Sequence, residues 1–265
     1  METLQTRGIR PASPYDLGTP WGDNRIPSTG ELGGREISIT RDDAVVLECS
    51  FDRETVSWRY SDDQAEGSAP YDAVALREGV YFIQFLHDGG LAATSLALNL
   101  RTNAGVLAQN RLVHGAERTD LQQDLYPCAV TGSDGTLPEL SAELVGRRAY
   151  AEYADGHTAE HLYLNPRRFA WQGLGKFDYS GSECDQSTTW KLDDKLYLLT
   201  WVEDWQAVGA VLLLDFEQLL NVGVIFGQDD IQLRHTLCGA RLEILSEVEY
   251  PPGYEPPGVL EPKRR

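Results

Sequence analysis

Two histidines and a glutamate in residues 153–166, YADGHTAEHLYLNP, have the spacing of a known metal-binding motif. His157, Glu160 and His161 follow the order His-x-x-Glu-His, which marks one class of zinc peptidases. Zinc binding by two histidines four residues apart requires a helix, where both side chains lie on one face. The motif therefore predicts zinc-dependent hydrolysis only if this segment is helical.

The residues around the motif favour a strand instead. Asp155-Gly156 is a hairpin turn signal directly before it, and a helix could not continue through Asn165-Pro166 directly after it. In a strand, His157 and His161 share a face but lie about 13 Å apart, at about 3.3 Å per residue. One zinc ion with bonds of about 2 Å cannot reach both. We expect neither a metal nor any other cofactor.

Strand alternation groups titratable and aromatic side chains on the faces of two predicted strands. His157, His161 and Tyr163 point one way in the first strand, and Tyr197 and Trp201 share a face in the second, LYLLTWVE. If these faces turn inward, they form an aromatic box with titratable groups, which is the usual composition of a small-molecule site. The candidate catalytic residues are Glu203, His161, His157, Tyr197 and Asp215, and the candidate substrate-binding residues are Tyr163, Trp171, Trp190, Trp201 and Leu199.

An internal repeat organises the chain that carries these strands. Residues 42–58, DDAVVLECSFDRETVSW, align without gaps with residues 155–171, DGHTAEHLYLNPRRFAW, so that Trp58 meets Trp171. The upstream segments GGREISI and VGRRAYA share a Gly-Arg pair, and NAGVLAQ faces NVGVIFG downstream. Apolar positions, a Trp, a Tyr and turn glycines recur in order, which indicates a duplication.

The sequence of each repeat predicts short β-strands. Runs rich in β-branched and aromatic residues alternate with turn residues, which predicts an all-β fold of two tandem up-and-down antiparallel β-barrels. A short helical plug is expected at 138–146, and one or two helical turns are expected at 13–17 and 118–126. The predicted divisions are an extended N-terminal arm (1–32), a first barrel (33–136), a second barrel (137–248) and a Pro-rich C-terminal tail (249–265).

The two repeats differ in the residues that could do chemistry. Barrel interiors are often packed cores, so Trp and Tyr at strand spacing are typical of a core as well as of a pocket. Carboxylates such as Glu203 and Asp215 would also suit strand ends that face water. The first repeat carries Phe85, His87 and Asn99 where the second carries Trp201, Glu203 and Asp215. This difference favours a structural first barrel and a second barrel equipped for acid–base chemistry.

The composition restricts the partners and the location. A formal net charge of −18 argues against nucleic acid and anionic membrane surfaces as partners. No apolar run reaches the roughly 18 residues of a membrane span, and the N-terminal residues lack the apolar core of a signal peptide. The four cysteines are far apart, without a C-x-x-C pair, which is typical of reduced thiols. We expect a cytoplasmic protein.

Three segments carry a resemblance to a known family: LVGRRAYAEYADG (144–156), EHLYLNPRRFAW (160–171) and LYLLTWVED…VLLLDFEQLLNVGVIFG (196–227). The sequence resembles the molybdenum cofactor biosynthesis protein F (MoaF) family, over most of 30–115 and 140–245. The resemblance implies two lipocalin-like barrels in tandem. Some lipocalin-like proteins are cofactor-free enzymes that use a buried Tyr, Glu and Arg. By this resemblance Tyr197 and Glu203 occupy suitable strand positions, but no arginine is expected inside the barrel, since Arg167 and Arg168 follow a turn.

These features lead to two functional hypotheses. In the first, the protein is a cofactor-independent enzyme of secondary metabolism, a lyase or isomerase that acts on a hydrophobic or aromatic substrate in the C-terminal barrel. Isomerisation, cyclisation, dehydration and decarboxylation all fit, with Glu203, His157 or His161 as the base. In the second, the barrel is a carrier that holds an apolar metabolite unchanged. A partner protein with filled barrels is a third and weaker possibility, and a homodimer is compatible with each of them.

Overall fold

The computed structural model describes residues 21–62, 65–116, 118–174, 181–228 and 233–253. Nearly all of the regular structure is β-strand, arranged as two closed antiparallel barrels in tandem. The prediction of an all-β protein with two tandem barrels is confirmed. Among the described residues, the regular helical structure is one short 3-10 turn, Asp88–Gly90. None of them forms a helix long and apolar enough to cross a membrane.

The N-terminal barrel is an eight-stranded up-and-down meander. Its strands are β1 Glu36–Arg41, β2 Val46–Phe51, β3 Thr55–Tyr60, β4 Glu66–Arg77, β5 Val80–His87, β6 Ala92–Asn99, β7 Ala104–His114 and β8 Thr119–Val130. Consecutive strands pair, and β1 pairs with β8 to close the barrel. Alternate residues point inward, so strands such as β2 show regular alternation of buried and open side chains.

The C-terminal barrel repeats this order. Its strands are β9 Glu139–Leu140, β10 Arg147–Ala154, β11 His157–Asn165, β12 Arg168–Leu174, β13 Ser182–Asp193, β14 Leu196–Val202, β15 Ala207–Asp215, β16 Leu220–Gln228 and β17 Leu233–Glu247. Pairing of β10 with β17 closes the barrel, and the short β9 adds to one end of β13. The His-x-x-Glu-His motif therefore lies on β11. Because β11 is a strand, its geometry separates His157 from His161.

A short segment before the first strand closes the same end of each barrel, and it makes the duplication visible in three dimensions. Leu32 and Leu144 are buried in the two barrel cores. The Tyr81 hydroxyl donates to Glu31 Oε2 at 2.7 Å, and the Tyr197 hydroxyl donates to Glu143 Oε2 at 2.7 Å. Both segments then turn through a glycine with positive φ before the first strand begins.

The predicted helices are the part of the fold that the structure corrects. Residues 138–146 form β9 and turns, although they do close the barrel end, and residues 118–126 belong mostly to β8. In β8 the backbone pairs along its length with β7, and this pairing outweighs the weak local helical pattern. The third predicted helical segment, 13–17, lies outside the described residues.

The two barrels pack against each other through their outer faces. Apolar side chains from both barrels form one buried cluster at this interface, including Phe82, Val106, Trp190, Leu198, Val211 and Val224. Each fully buried side chain of this size contributes roughly 1.5–3 kcal/mol relative to exposure. The outer face of β15 is thus as buried as its inner face, and all nine residues of the strand are buried.

Polar contacts at the edge of this interface follow the duplication. Arg77 at the end of β4 forms a bidentate ion pair with Asp215 at the end of β15, with Nε–Oδ2 and Nη2–Oδ1 distances of 2.6 and 2.7 Å. At the corresponding corner, the Asn99 amide donates to Asp193 Oδ2 at 3.1 Å. Because Arg77 aligns with Asp193 and Asn99 aligns with Asp215, the barrels meet as a pseudo-symmetric pair.

The N-terminal arm takes part in the second barrel. The backbone N–H of Asn24 donates to the Tyr153 carbonyl at 2.8 Å, and the N–H of Gly239 donates to the Trp21 carbonyl at 3.0 Å. These bonds place the arm between β10 and β17, beyond the last residues that the two strands pair. The Trp21 ring packs edge-on against Tyr153, with centroids 4.8 Å apart. The arm is therefore part of the barrel wall at this end.

Candidate functional site

Aromatic side chains pack against one another inside the C-terminal barrel. Phe169 on β12 packs against Trp201 on β14 with ring centroids 4.9 Å apart, and against His161 on β11 with centroids 5.1 Å apart. Tyr163 lies 5.6 Å from Phe169 by the same measure. The side chains of Tyr163, Trp201 and His161 lie in the barrel interior, where the strand alternation places them. Leu199 lies in the same core.

His161 is a buried, neutral imidazole. It is 2% exposed, and its Nε2 lies 3.2 Å from the Tyr153 hydroxyl. Burial lowers the pKa of His161 to about 4, because the charged imidazolium is not solvated there. A group with this pKa is a poor proton acceptor near neutral pH. His161 is consequently suited to hydrogen bonding with a neutral partner rather than to the role of general base.

Two carboxyl groups on β13 face the same interior from the next strand. Glu183 and Asp185 are two residues apart, so their side chains share a face, and the two carboxyl groups are in hydrogen-bond contact. Glu183 lies opposite Trp171 and Asp185 lies opposite Phe169 in the β12–β13 register. The pair is placed at the barrel end that carries the β14–β15 connection, away from the segment with Glu143.

The environment of this pair shifts the pKa of both groups upward. Burial, followed by the neighbouring charge of Glu183, raises the pKa of Asp185 to about 6, although contacts with the Trp171 side chain and the Asp204 backbone oppose the shift. Burial and the charge of Asp204 raise the pKa of Glu183 as well. Two acids that titrate closer to neutrality in a barrel end are typical of functional sites.

Several buried polar atoms in the C-terminal barrel have no hydrogen-bond partner among the residues that the structure describes. Four of them lie on the strands β11 and β13: Asp185 Oδ2, Glu183 Oε2, His161 Nδ1 and the Tyr163 hydroxyl. An unsatisfied buried polar atom costs about 1–3 kcal/mol, so a group of four is unusual in a purely structural core. Such atoms are free to bind a ligand or ordered water.

The N-terminal barrel differs because its interior polar groups bind each other. Gln109 links the Arg41 guanidinium to the Tyr60 hydroxyl, accepting from Arg41 at 3.5 Å and donating to Tyr60 at 2.8 Å. His87 Nε2 lies 3.1 Å from the Thr94 hydroxyl. The interior of the first barrel is therefore partly polar. Its polar network is nonetheless internally paired, which is the arrangement of a structural core.

Three of the predicted catalytic or binding residues belong to structural features. Tyr197 is the tyrosine that donates to Glu143, and burial and this carboxylate raise its pKa well above the ordinary range. Asp215 is paired with Arg77 of the other barrel, and Trp190 lies in the apolar cluster between the barrels. None of the three reaches the carboxyl pair, because Tyr197 lies at the opposite barrel end and the other two point outward.

The remaining predicted residues lie at the margins of the site. Glu203 follows β14 and lines a cleft of about 1530 Å³ between the two barrels, together with Arg168 and Trp205. His157 is the first residue of β11 and is half-buried. Trp171 lies directly opposite both His161 and Glu183 in the strand register, so this predicted residue lies beside the carboxyl pair.

Metal binding finds no support in the described part of the chain. No group of three or more His, Cys, Asp or Glu side chains there could hold a metal ion. All four cysteines are free, and burial raises the pKa of three of them, Cys49, Cys128 and Cys238, to about 12.

The two residues that define the site, Glu183 and Asp185, were not among the predicted ones. The stretch SECDQSTTW does contain a signal, because Glu183 and Asp185 alternate with Cys184 in a strand that ends in β-favouring residues. Acidic residues usually mark exposed ends, and the sequence alone did not indicate that this end turns into the barrel.

Comparison with known proteins places the chain in a family. A model of the MoaF N-terminal domain matches residues 15–113, and a model of the MoaF C-terminal domain matches residues 138–248. The chain belongs to the MoaF family. Protein MoaF of Klebsiella aerogenes is 29% identical to it over 212 residues, which are 74% of this chain and 79% of that protein.

One solved structure shows only a distant likeness. A "putative beta-lactamase" from Burkholderia vietnamiensis aligns with 38% of this chain and 95% of its own length, at a TM-score of 0.33 and 16% identity. A likeness of this degree supports no conclusion about the MoaF fold or activity.

Family membership corrects the functional expectation from the sequence. The MoaF family is named for molybdenum cofactor biosynthesis, and both of its domains match. The expected cofactor-independent enzyme of secondary metabolism, and the carrier of an apolar metabolite, are therefore wrong. The site geometry agrees with this correction, because the expected acid–base set is divided among the barrel interior, the closed end and the interface between the barrels.

Proposed function

We propose that this protein acts in molybdenum cofactor biosynthesis and that its C-terminal barrel contributes by binding a small polar molecule. The observation that carries the proposal is the match of both MoaF domains to this chain. The unpartnered polar atoms of the C-terminal barrel support a binding role for that barrel in particular.

The N-terminal barrel has a structural role in this proposal. Its interior polar groups are paired with one another, and its outer face supports the second barrel through the shared apolar cluster. A binding site on one barrel, held by a second barrel and by the N-terminal arm, is better fixed in shape than a site in an isolated small barrel.

The cysteines bear on the location of the protein, and an exposed tryptophan bears on its assembly. Free thiols at all four cysteines are compatible with the cytoplasm, where disulfides are rare. A homodimer stays a prediction. The strongly exposed Trp205, with 85% of its surface accessible, makes the rim of the cleft between the barrels a suitable contact surface.

Deletion of the gene in its source organism tests the role. We expect the deletion to lower the molybdenum cofactor content of the cells and the activity of a molybdenum-dependent enzyme, and a wild-type copy to restore both. The control is the same marker inserted at a neutral position. Unchanged cofactor content, with molybdate both limiting and in excess, would show that the proposal is incorrect.

A further inference from the structure

The carboxyl pair offers two hydrogen-bond acceptors in one place. Asp185 is 1% exposed. Neither its Oδ2 nor Glu183 Oε2 has a hydrogen-bond partner among the described residues. The two side chains share one face of β13, so both free oxygens belong to one end of the barrel interior. A ligand that satisfies both must present two N–H or O–H donors side by side.

The charge around the pair favours nitrogen donors. Among the described residues, no ion pair reaches Glu183 or Asp185, and the nearby Arg168 guanidinium is bound to Asp204 and to the Cys184 carbonyl. The other acidic group close to the pair, Asp204, adds negative charge. A donor group that carries partial or full positive charge forms stronger hydrogen bonds to such a pair than a hydroxyl does.

Aromatic rings beside the pair favour a flat ligand. Trp171 lies opposite Glu183, and Phe169, which lies opposite Asp185, contacts the Trp201 ring. The neighbouring inner wall is made of small side chains, Ala151, Ala159 and Ala210. Rings of this kind stack on planar ligands.

We propose that this end of the C-terminal barrel binds a planar nitrogen heterocycle through a cyclic guanidine edge, an amino group beside a ring N–H. The two N–H groups of that edge donate to Glu183 and Asp185, and the ring lies against Trp171. His161 Nδ1 and the Tyr163 hydroxyl, which also lack partners among the described residues, offer further hydrogen bonds to the ring substituents. Replacement of the amino group by a carbonyl oxygen turns a donor into an acceptor that faces two carboxyl groups.

This inference deepens the proposed function and rests on its assignment of the C-terminal barrel as the binding barrel. It names the chemistry that the ligand must have and the residues that would recognise it.

The test is calorimetric titration of the purified protein with two matched ligand pairs. The pairs are 2-aminopyrimidin-4-one with uracil and 2-amino-4-oxopteridine with 2,4-dioxopteridine. In each pair the 2-amino group is exchanged for a 2-oxo group, and one ring nitrogen gains a hydrogen. We expect the amino member to bind at least about tenfold more tightly than the oxo member, because each unpaired buried polar contact weakens recognition. The E183Q/D185N variant should lose this preference, and the D134N variant, changed at an exposed carboxylate of the other barrel, should keep it.

Four results would overturn the inference, and three of them concern the matched ligand pairs. They are equal affinity for both members of each pair, no binding of any of the four compounds, and undiminished preference in E183Q/D185N. Tighter binding of butylammonium than of either amino heterocycle would also exclude the planar edge. Circular dichroism and the single variant E183Q show whether a loss of binding reflects the site or the fold. The gene deletion gives an independent result, so failure of this inference and failure of the proposed function are distinguishable.

Discussion

At the scale of single residues, burial decides which acids and bases are available. His161 and Asp185 lie in the same barrel interior, and burial shifts the pKa of each toward its neutral form, downward for the imidazole and upward for the carboxyl. The histidine is thereby removed from proton transfer near pH 7. The carboxyl titrates near pH 6 and stays able to accept hydrogen bonds above that pH.

Asp185 is expected to cost stability, and its replacement tests this. The pKa of Asp185 in the folded protein, about 6, lies above the ordinary value. Its contribution to folding stability is therefore fully present at low pH and is lost as pH rises through 6. The D185N variant has no carboxyl group at this position, so it does not lose this stability as pH rises. We expect its free energy of unfolding at pH 8 to exceed that of the wild type by about 1–3 kcal/mol, and the difference to shrink toward pH 4. Urea titrations at both pH values measure it.

The D134N variant is the matched control, since it makes the same chemical change at an exposed position. Its unfolding free energy should follow the wild type at each pH. A destabilised D185N protein at pH 8 would mean that the native fold needs this carboxylate, and that the site is structural.

At the scale of elements, equivalent glycines hold the two barrels in the same shape. Gly105 on β7 and Gly223 on β16 come from the aligned segments NAGVLAQ and NVGVIFG. A Cβ atom at Gly105 would lie 2.4 Å from the Ala97 carbonyl oxygen, and one at Gly223 would lie 2.2 Å from the Val211 carbonyl oxygen. In both cases a neighbouring strand approaches the backbone too closely for any side chain.

The G105A and G223A variants should therefore be destabilised to a similar degree. We expect each to lose at least about 2 kcal/mol of unfolding free energy, because a backbone oxygen must move to admit the methyl group. Chemical denaturation measures the loss. G30A is the control, since a Cβ there meets no atom within 4 Å, and it should change stability by less than about 1 kcal/mol. A neutral G223A would contradict the close approach of β15 and β16.

Alternation of strand residues predicted the elements better than it predicted the site. The period-two pattern and the repeated Trp, Tyr and glycine positions were sufficient for two tandem barrels. They were not sufficient to show that Trp190 and Asp215 point outward, because the outer faces of β13 and β15 are covered by the other barrel. Where both faces of a strand are buried, hydrophobicity no longer shows which face points inward. Glu183 and Asp185 were not singled out from the sequence for a related reason, since the depth of a carboxylate depends on strand tilt.

At the scale of the whole molecule, the two barrels depend on each other through buried polar contacts as well as through the apolar cluster. The side chains of Arg77 and Asp215 are 8% and 0% exposed. Burial alone would raise the pKa of Asp215, but hydrogen bonds from Arg77, Gln218 and Glu217 outweigh it and hold the pKa below its usual range. The pair thus stays ionised inside the interface between the barrels.

Removal of one partner should be far more harmful than removal of both. We expect D215L to lose about 3–5 kcal/mol of unfolding free energy, because it leaves the Arg77 charge buried, and R77M/D215L to recover part of that loss. R59M, which breaks the exposed Arg59–Glu48 pair, is the control and should cost less than about 1 kcal/mol. Equal effects of D215L and R59M in denaturation experiments would show that the interface does not depend on the pair.

A buried histidine at the same interface predicts sensitivity to acid. His235 Nε2 lies 2.7 Å from Gln84 Oε1 of the other barrel, and burial lowers the pKa of His235 to about 4. Since the folded pKa is depressed, its contribution to stability is present above about pH 6.5 and is lost as pH falls toward 4. H235Q should unfold with a shallower dependence on pH between 6.5 and 4.5 than the wild type. Replacement of the exposed His114 by Gln should leave that dependence unchanged.

The central claim is that the end of the C-terminal barrel with Glu183 and Asp185 is the binding site of this MoaF family member. The most direct measurement is a crystal structure of the wild-type protein grown with 2-amino-4-oxopteridine. The account predicts the ring inside that barrel, with its amino and ring N–H groups within 3.2 Å of the two carboxyl groups, and no density for the ring in E183Q/D185N crystals. A ring bound in the cleft between the barrels, or equally occupied in both proteins, would contradict it.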